Sequence, residues 1–132
     1  MASSYPGPER RQHKRVEVNF TLVYQVDKPL TFRMTIGSRK IDALMLDLSE
    51  SGMSILTVYN LPISAILLMR LTLIGAHPHD DNRSITIEMT GEVRYNMLVR
   101  GNERRVGILF TKIEDKDKNI LAYFVEKISM KK

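Results

Sequence analysis

The chain of 132 residues contains no cysteine and no tryptophan. Without cysteine there is no disulfide framework, no thiol nucleophile and no cysteine-ligated zinc, which fits a reducing compartment such as the cytoplasm. Long apolar runs are missing as well. The most apolar region, residues 61–76, is interrupted by Pro62 and Arg70 and falls short of the roughly 20 apolar residues a membrane-spanning helix needs. No signal-peptide pattern is found, so a soluble protein without membrane insertion is expected. Also absent are a glycine-rich phosphate loop, a recognisable pair of catalytic carboxylates and any strong metal motif, which leaves an enzyme as the least supported class.

What the chain does have is a concentrated positive charge. Its formal net charge is +5, and residues 9–15 (Glu9, Arg10, Arg11, Gln12, His13, Lys14, Arg15) contribute +3 of it. The remainder is nearly balanced. A local cationic patch points to a small or localised anionic partner more than to a long nucleic-acid track, the alternative being a solvated basic tail. Residues 1–8, rich in small residues, proline and glycine, read as a flexible leader.

From Val16 the apolar residues fall into period two: Val16, Val18, Phe20, Leu22, Tyr24 and Val26 on one side, polar residues mostly on the other. That is the signature of a half-buried strand. A turn is expected at Asp27, Lys28 and Pro29, followed by renewed alternation at Phe32, Met34 and Ile36 and by strands over 41–48, 53–58 and 67–74 with Arg70 facing out. Ile85, Ile87, Met89, Gly91, Val93 and Tyr95 alternate next, then a loop over 97–105 and a last strand through Val106, Ile108 and Phe110. Only the C-terminus changes period. Ile120, Leu121, Phe124, Val125 and Ile128 recur at helical spacing, predicting a helix over 115–128 whose apolar stripe packs on the strands.

Short strands at hairpin spacing without intervening helices predict an all-β protein, an antiparallel meander closed into a small barrel, with one C-terminal α-helix. Closure removes the edges such strands would otherwise expose. The expected organisation is a leader over 1–8 and a single domain over 9–132, comprising an arm (9–15), the barrel (16–111) and the helix (115–128). The loop over 75–82 carries His77, His79, Asp80 and Asp81. With no second ligand cluster elsewhere it reads as a polar surface loop, and no metal or cofactor is expected.

Two stretches carry the chemistry. An arginine can pair with phosphate oxygens, fork onto the O6/N7 edge of guanine and stack on a base; Arg10, Arg11 and Arg15 in an extended or turning segment could converge on one compact ligand. At the end of the 41–48 strand, Asp47 can accept from guanine N1–H and N2–H₂, and the Ser49 hydroxyl can bond a phosphate or stabilise the turn. Gly52 suits a close approach or a positive φ. A ligand-free Asx or Ser turn is the plain alternative.

Taken in order, Arg11-Gln12-His13-Lys14-Arg15 and Asp47-Leu48-Ser49-Glu50-Ser51-Gly52 resemble the RxxxR and (D/N)xSxxG motifs of the PilZ domain family. Gly91 to Tyr95 and Arg105 to Phe110 resemble its later strands more loosely, with Tyr95 near a position where the family often has tryptophan. The resemblance implies a six-stranded antiparallel β-barrel of PilZ type that binds the bacterial second messenger cyclic di-GMP. It implies that Arg11 and Arg15 hold guanine and phosphate, that Asp47 and Ser49 read a guanine and its neighbouring phosphate, and that Gly52 shapes the turn. Arg10, just before the first motif arginine, is similar to members that take an intercalated ligand dimer. It further implies a receptor that switches conformation and signals to an unidentified downstream protein in motility, polysaccharide secretion or biofilm adhesion. The competing reading is a small basic barrel that binds single-stranded nucleic acid through the same arm, which would require stacking aromatics on an open face.

Overall fold

A computed structural model of the chain describes residues 16–37, 39–75, 79 and 82–130. Six strands, β1 (Val16–Lys28), β2 (Ile41–Leu48), β3 (Gly52–Thr57), β4 (Ile66–Ile74), β5 (Ser84–Arg100) and β6 (Glu103–Ile113), carry two helices, α1 (Leu30–Ile36) and α2 (Asp115–Met130). Every strand pair is antiparallel, and the sheet closes in the order β1-β2-β3-β6-β5-β4. The expected six-stranded barrel with a C-terminal helix is therefore the observed fold.

Period two explains the interior. Leu22, Tyr24 and Val26 of β1, Met45 and Leu48 of β2, Met53 and Ile55 of β3, and Leu67 to Leu73 at alternate positions of β4 are all buried in one core. Opposite faces of the same strands carry Arg70 and Glu88, a cross-strand pair at 2.7 Å. The α2 stripe contributes Leu121, Phe124 and Val125 to that core, and the Phe124 ring lies 5.6 Å from Phe20 of β1. The Lys127 ammonium in the last turn of α2 donates to the Gly75 carbonyl at 2.9 Å. A polar pair sits inside the barrel. The Tyr24 hydroxyl and Thr57 Oγ1 are 2.9 Å apart, and burial raises the Tyr24 pKa from 10.0 to about 12 despite that hydrogen bond.

The structure corrects four expectations. The Phe32, Met34, Ile36 alternation is helical: Arg33 N–H donates to Pro29 O, and the helix ends where Gly37, at φ +84°, donates to Arg33 O. Residues two apart lie on opposite sides of a helix, so Phe32 packs on the core while Met34 is 75% exposed. A run this short carries both periods. The loop expected over 97–105 is instead a continuation of β5 and β6, turning only at Gly101 and Asn102. Two register shifts, at 93/95 and 98/100, break the alternation that would have revealed it, and Met97, Leu98 and Val99 are all exposed.

The meander also fails beyond β3, which pairs with β6 and not with β4. Residues 58–65 make the crossing in a Greek-key-like connection, held by Ser64 N–H to Val93 O and Val93 N–H to Ala65 O. Finally, Tyr95 leaves the inward register. The shift between Val93 and Tyr95 is a bulge that gives the strand an extra residue and re-aims the side chains beyond it; Val93 is buried, whereas Tyr95 is 39% exposed. The barrel strands run to Ile113 and α2 to Met130, slightly past the expected limits.

Candidate functional site

The turn joining β2 to β3 is built by its own side chains. Ser49 Oγ accepts from the backbone N–H groups of Ser51 and Gly52, each at 3.2 Å, and lies 3.3 Å from the Gly52 carbonyl. The Ser49 N–H closes the turn onto that same carbonyl at 2.9 Å. A short hydroxyl side chain satisfying nearby amides is the usual device for such a turn. Gly52 has a different reason. A Cβ at this position would stand 2.2 Å from the Ile108 carbonyl oxygen, so of the two roles open to this glycine, close approach of β3 to β6 is the one observed.

Asp47 sits just before the turn, at a register shift between Met45 and Asp47. The bulge turns its carboxylate away from the core while the flanking Met45 and Leu48 stay inside. Oδ1 accepts from the Ser54 N–H at 3.1 Å, and Oδ2 accepts from the Arg105 guanidinium of β6 at 2.7 Å. Asp47 is only 7% exposed, so its charge needs such partners. The Arg105 Nε–H also points at the Tyr95 hydroxyl, 3.4 Å away. Burial works against the charge on Arg105, but Tyr95 and Asp47 outweigh it and raise its pKa above the ordinary value.

The strand register lines these groups up. Asp47 pairs with Ser54, Ser54 with Gly107 and Gly107 with Tyr95, a row running across β2, β3, β6 and β5. Ser54 and Gly107 lie between core residues, Met53 and Ile55 on one strand and Val106 and Ile108 on the other, so alternation puts them on the outer face. That face is nevertheless covered. A Cβ on Gly107 would stand 2.0 Å from the Tyr95 ring, which places the ring directly on the Gly107 backbone. Ser54 is 0% exposed, and among the described residues its Oγ has no hydrogen-bond partner.

Of the residues singled out from the sequence, Asp47, Ser49 and Gly52 are brought together at one barrel end. Arg10, Arg11 and Arg15 lie outside the described residues, as do His77, Asp80 and Asp81. Among the described residues no group of three or more His, Cys, Asp or Glu side chains could hold a metal ion, and no helix is long and apolar enough to cross a membrane. Sequence reasoning missed Ser54, Arg105 and the outward turn of Tyr95. A glycine at 107 inside an otherwise apolar alternation was the available signal, since a strand glycine often marks a close approach.

The PilZ domain family model matches residues 9–127. No curated protein matches the chain. Among solved structures, the Bacillus subtilis inhibitor of motility, MotI/DgrA, is similar at a TM-score of 0.72 and 18% identity, over 96% of this chain and 57% of that one. The PilZ domain of Escherichia coli YcgR, solved with c-di-GMP, is similar at a TM-score of 0.63 and 12% identity, over 92% and 93% of the two chains. The K. pneumonia MrkH–c-di-GMP complex is similar at 0.59 and 10% identity, over 92% and 53%. The chain thus spans little more than half the length of the B. subtilis and K. pneumonia proteins, and at these identities the likeness is one of fold.

Proposed function

The chain belongs to the PilZ domain family, and on that premise we propose that it is a receptor for cyclic di-GMP, acting without catalysis. Two of the solved neighbours carry that ligand. The observation that supports the reading most is where β1 starts. Val16 pairs with Leu48 and Glu17 with Asp47, so the chain enters the barrel beside the Asp47–Ser49 turn. The RxxxR segment ends at Arg15, one residue before Val16, and consecutive Cα atoms are about 3.8 Å apart. Covalent continuity alone tethers the basic segment to the carboxylate-bearing turn.

The chemistry of the two halves is complementary. The arginines answer the phosphates and the O6/N7 edge of guanine, and Asp47 answers the opposite, N1–H/N2–H₂ edge. Engagement of the arm by the ligand is then the switch, because an arm held against the barrel presents a surface that a free arm does not. A downstream protein reads that surface; the likeness to an inhibitor of motility from B. subtilis favours one concerned with motility. Arg10 is the residue proposed to set ligand number, one molecule or an intercalated pair.

Isothermal titration tests this reading. Wild-type protein should bind cyclic di-GMP saturably, and Arg11→Ala, Arg15→Ala and Asp47→Ala should each lose tenfold or more, the equivalent of the roughly 1.5–3 kcal/mol of a charged hydrogen bond. Arg10→Ala should lower the ligand count from two toward one. Wild-type affinity in the arginine variants would sink their assignment. Tight, steeply salt-dependent binding of single-stranded DNA or RNA, with none of the dinucleotide, would favour the nucleic-acid reading instead.

A further inference from the structure

We infer that Arg105 is a positioning residue for base recognition: it holds the Asp47 carboxylate in the orientation that reads the N1–H/N2–H₂ edge of guanine, and selectivity for that edge depends on it. The inference rests on the cyclic di-GMP reading and adds to it a residue that lies in neither the arm nor the turn.

Three observations distinguish this contact from an ordinary surface ion pair. The first is burial. The Arg70–Glu88 pair has the same 2.7 Å separation, but its side chains are 53% and 68% exposed; those of Arg105 and Asp47 are 36% and 10% exposed. Exposed pairs contribute little and hold no fixed geometry, whereas a shielded one constrains both partners. The second is the number of anchors. Arg105 offers one nitrogen to Asp47 Oδ2 and another to the Tyr95 hydroxyl, and a planar guanidinium held at two points has a defined plane. Asp47 is pinned in turn, by Ser54 N–H on Oδ1 and Arg105 on Oδ2.

The third observation is Ser54. Its hydroxyl is fully buried on the outer face, between Asp47 and Gly107 in the strand register, and has no partner among the described residues. An unsatisfied buried hydroxyl is costly, and packing the barrel interior does not require one on this side. The floor beside Asp47 is thus polar rather than apolar. A carboxylate fixed at both oxygens over such a floor discriminates by geometry. Each oxygen keeps a second lone pair, so a base offering two parallel donors fits it, and a base lacking one of them makes one charged hydrogen bond fewer.

Selectivity is the readout that a merely structural arginine would not move. Affinities for cyclic di-GMP, cyclic di-IMP, which lacks the 2-amino group, and cyclic di-AMP, which lacks the N1–H, should be measured by titration on wild type, Arg105→Met, Arg105→Lys and Tyr95→Phe. Wild type should prefer cyclic di-GMP over cyclic di-IMP by about tenfold, the value of one good hydrogen bond to a charged group. Arg105→Met should bring that ratio close to one, Arg105→Lys should retain part of it, and Tyr95→Phe, which removes only the brace on Nε, should reduce it least. Equal losses for all three ligands, or an unchanged ratio, would overturn the inference while leaving the receptor reading intact. No binding of cyclic di-GMP by wild type would remove both. Should Arg105→Met fail to fold, the decision passes to Arg105→Lys, which keeps the charge but not the planar fork: an unchanged ratio there overturns the inference.

Discussion

Next to its turn, the β2–β3 hairpin buries side chains on both faces, and they are chemically opposite. Its inner face buries Met45, Leu48, Met53 and Ile55; its outer face buries Asp47, Ser49 and Ser54. Burying apolar surface is what drives the barrel to close, at about 25 cal/mol per Å², so the inner face follows from folding alone. The outer face works against folding. It removes a carboxylate and two hydroxyls from water, and one hydroxyl receives no hydrogen bond among the described residues in return. Burial by itself does not distinguish core from site, but burial of polar groups that the fold does not need does, and local conflicts of this kind cluster where function lies.

Adjacent residues on β3 offer the sharpest way to test that contrast. Ile55→Ala should have the largest effect on stability, a loss of about 2–5 kcal/mol in urea unfolding as methylenes leave a packed core, with ligand affinity of the folded protein little changed. A loss below about 1 kcal/mol would mean that the inner face is not a tightly packed core. Tyr24 supplies an intermediate case, an inner-face polar group that does have a partner. Its folded pKa of about 12 against an ordinary 10.0 means the folded state holds the proton more tightly than the unfolded chain. Stability tied to this group is therefore complete below pH 10 and is lost as pH climbs from 10 toward 12. Denaturation midpoints across that window should fall less steeply in Tyr24→Phe than in wild type, and parallel slopes would contradict the assignment. The smallest loss of stability belongs to Ser54→Ala, one residue from Ile55. Removing a buried hydroxyl that has no partner among the described residues should cost nothing and should raise stability by up to about 1–3 kcal/mol. A loss as large as that of Ile55→Ala would show that the hydroxyl is part of the structural core, and the two faces would no longer differ.

Much of this architecture was legible from the order of residues because it depends on local periodicity. Period two marked β1 from Val16, the strand over 41–48 and the outward Arg70, and the 3.6-residue spacing of Ile120, Leu121, Phe124 and Val125 marked α2. Errors arose where a pattern was short or interrupted. Phe32, Met34 and Ile36 satisfy a strand and a helix equally well within the seven residues of α1, and the β5 bulges at Arg94 and Val99 reverse the in–out alternation that the eye extrapolates.

The candidate site divides along the same line. Arg11, Arg15, Asp47, Ser49 and Gly52 stand in two short motifs, readable from spacing because a turn and an arm are each made by neighbours in the chain. Arg105, Ser54 and Tyr95 could not be joined to Asp47 that way. Arg105 is 58 residues from Asp47, and they meet because β3 pairs with β6 after a Greek-key crossing and a bulge swings Tyr95 outward. By itself the sequence determined most of the segments that become strands, where the last helix lies and which local motifs could hold an anionic base. Only the closed barrel decided which distant side chain braces the carboxylate, because register across strands is a property of their pairing and not of any one strand.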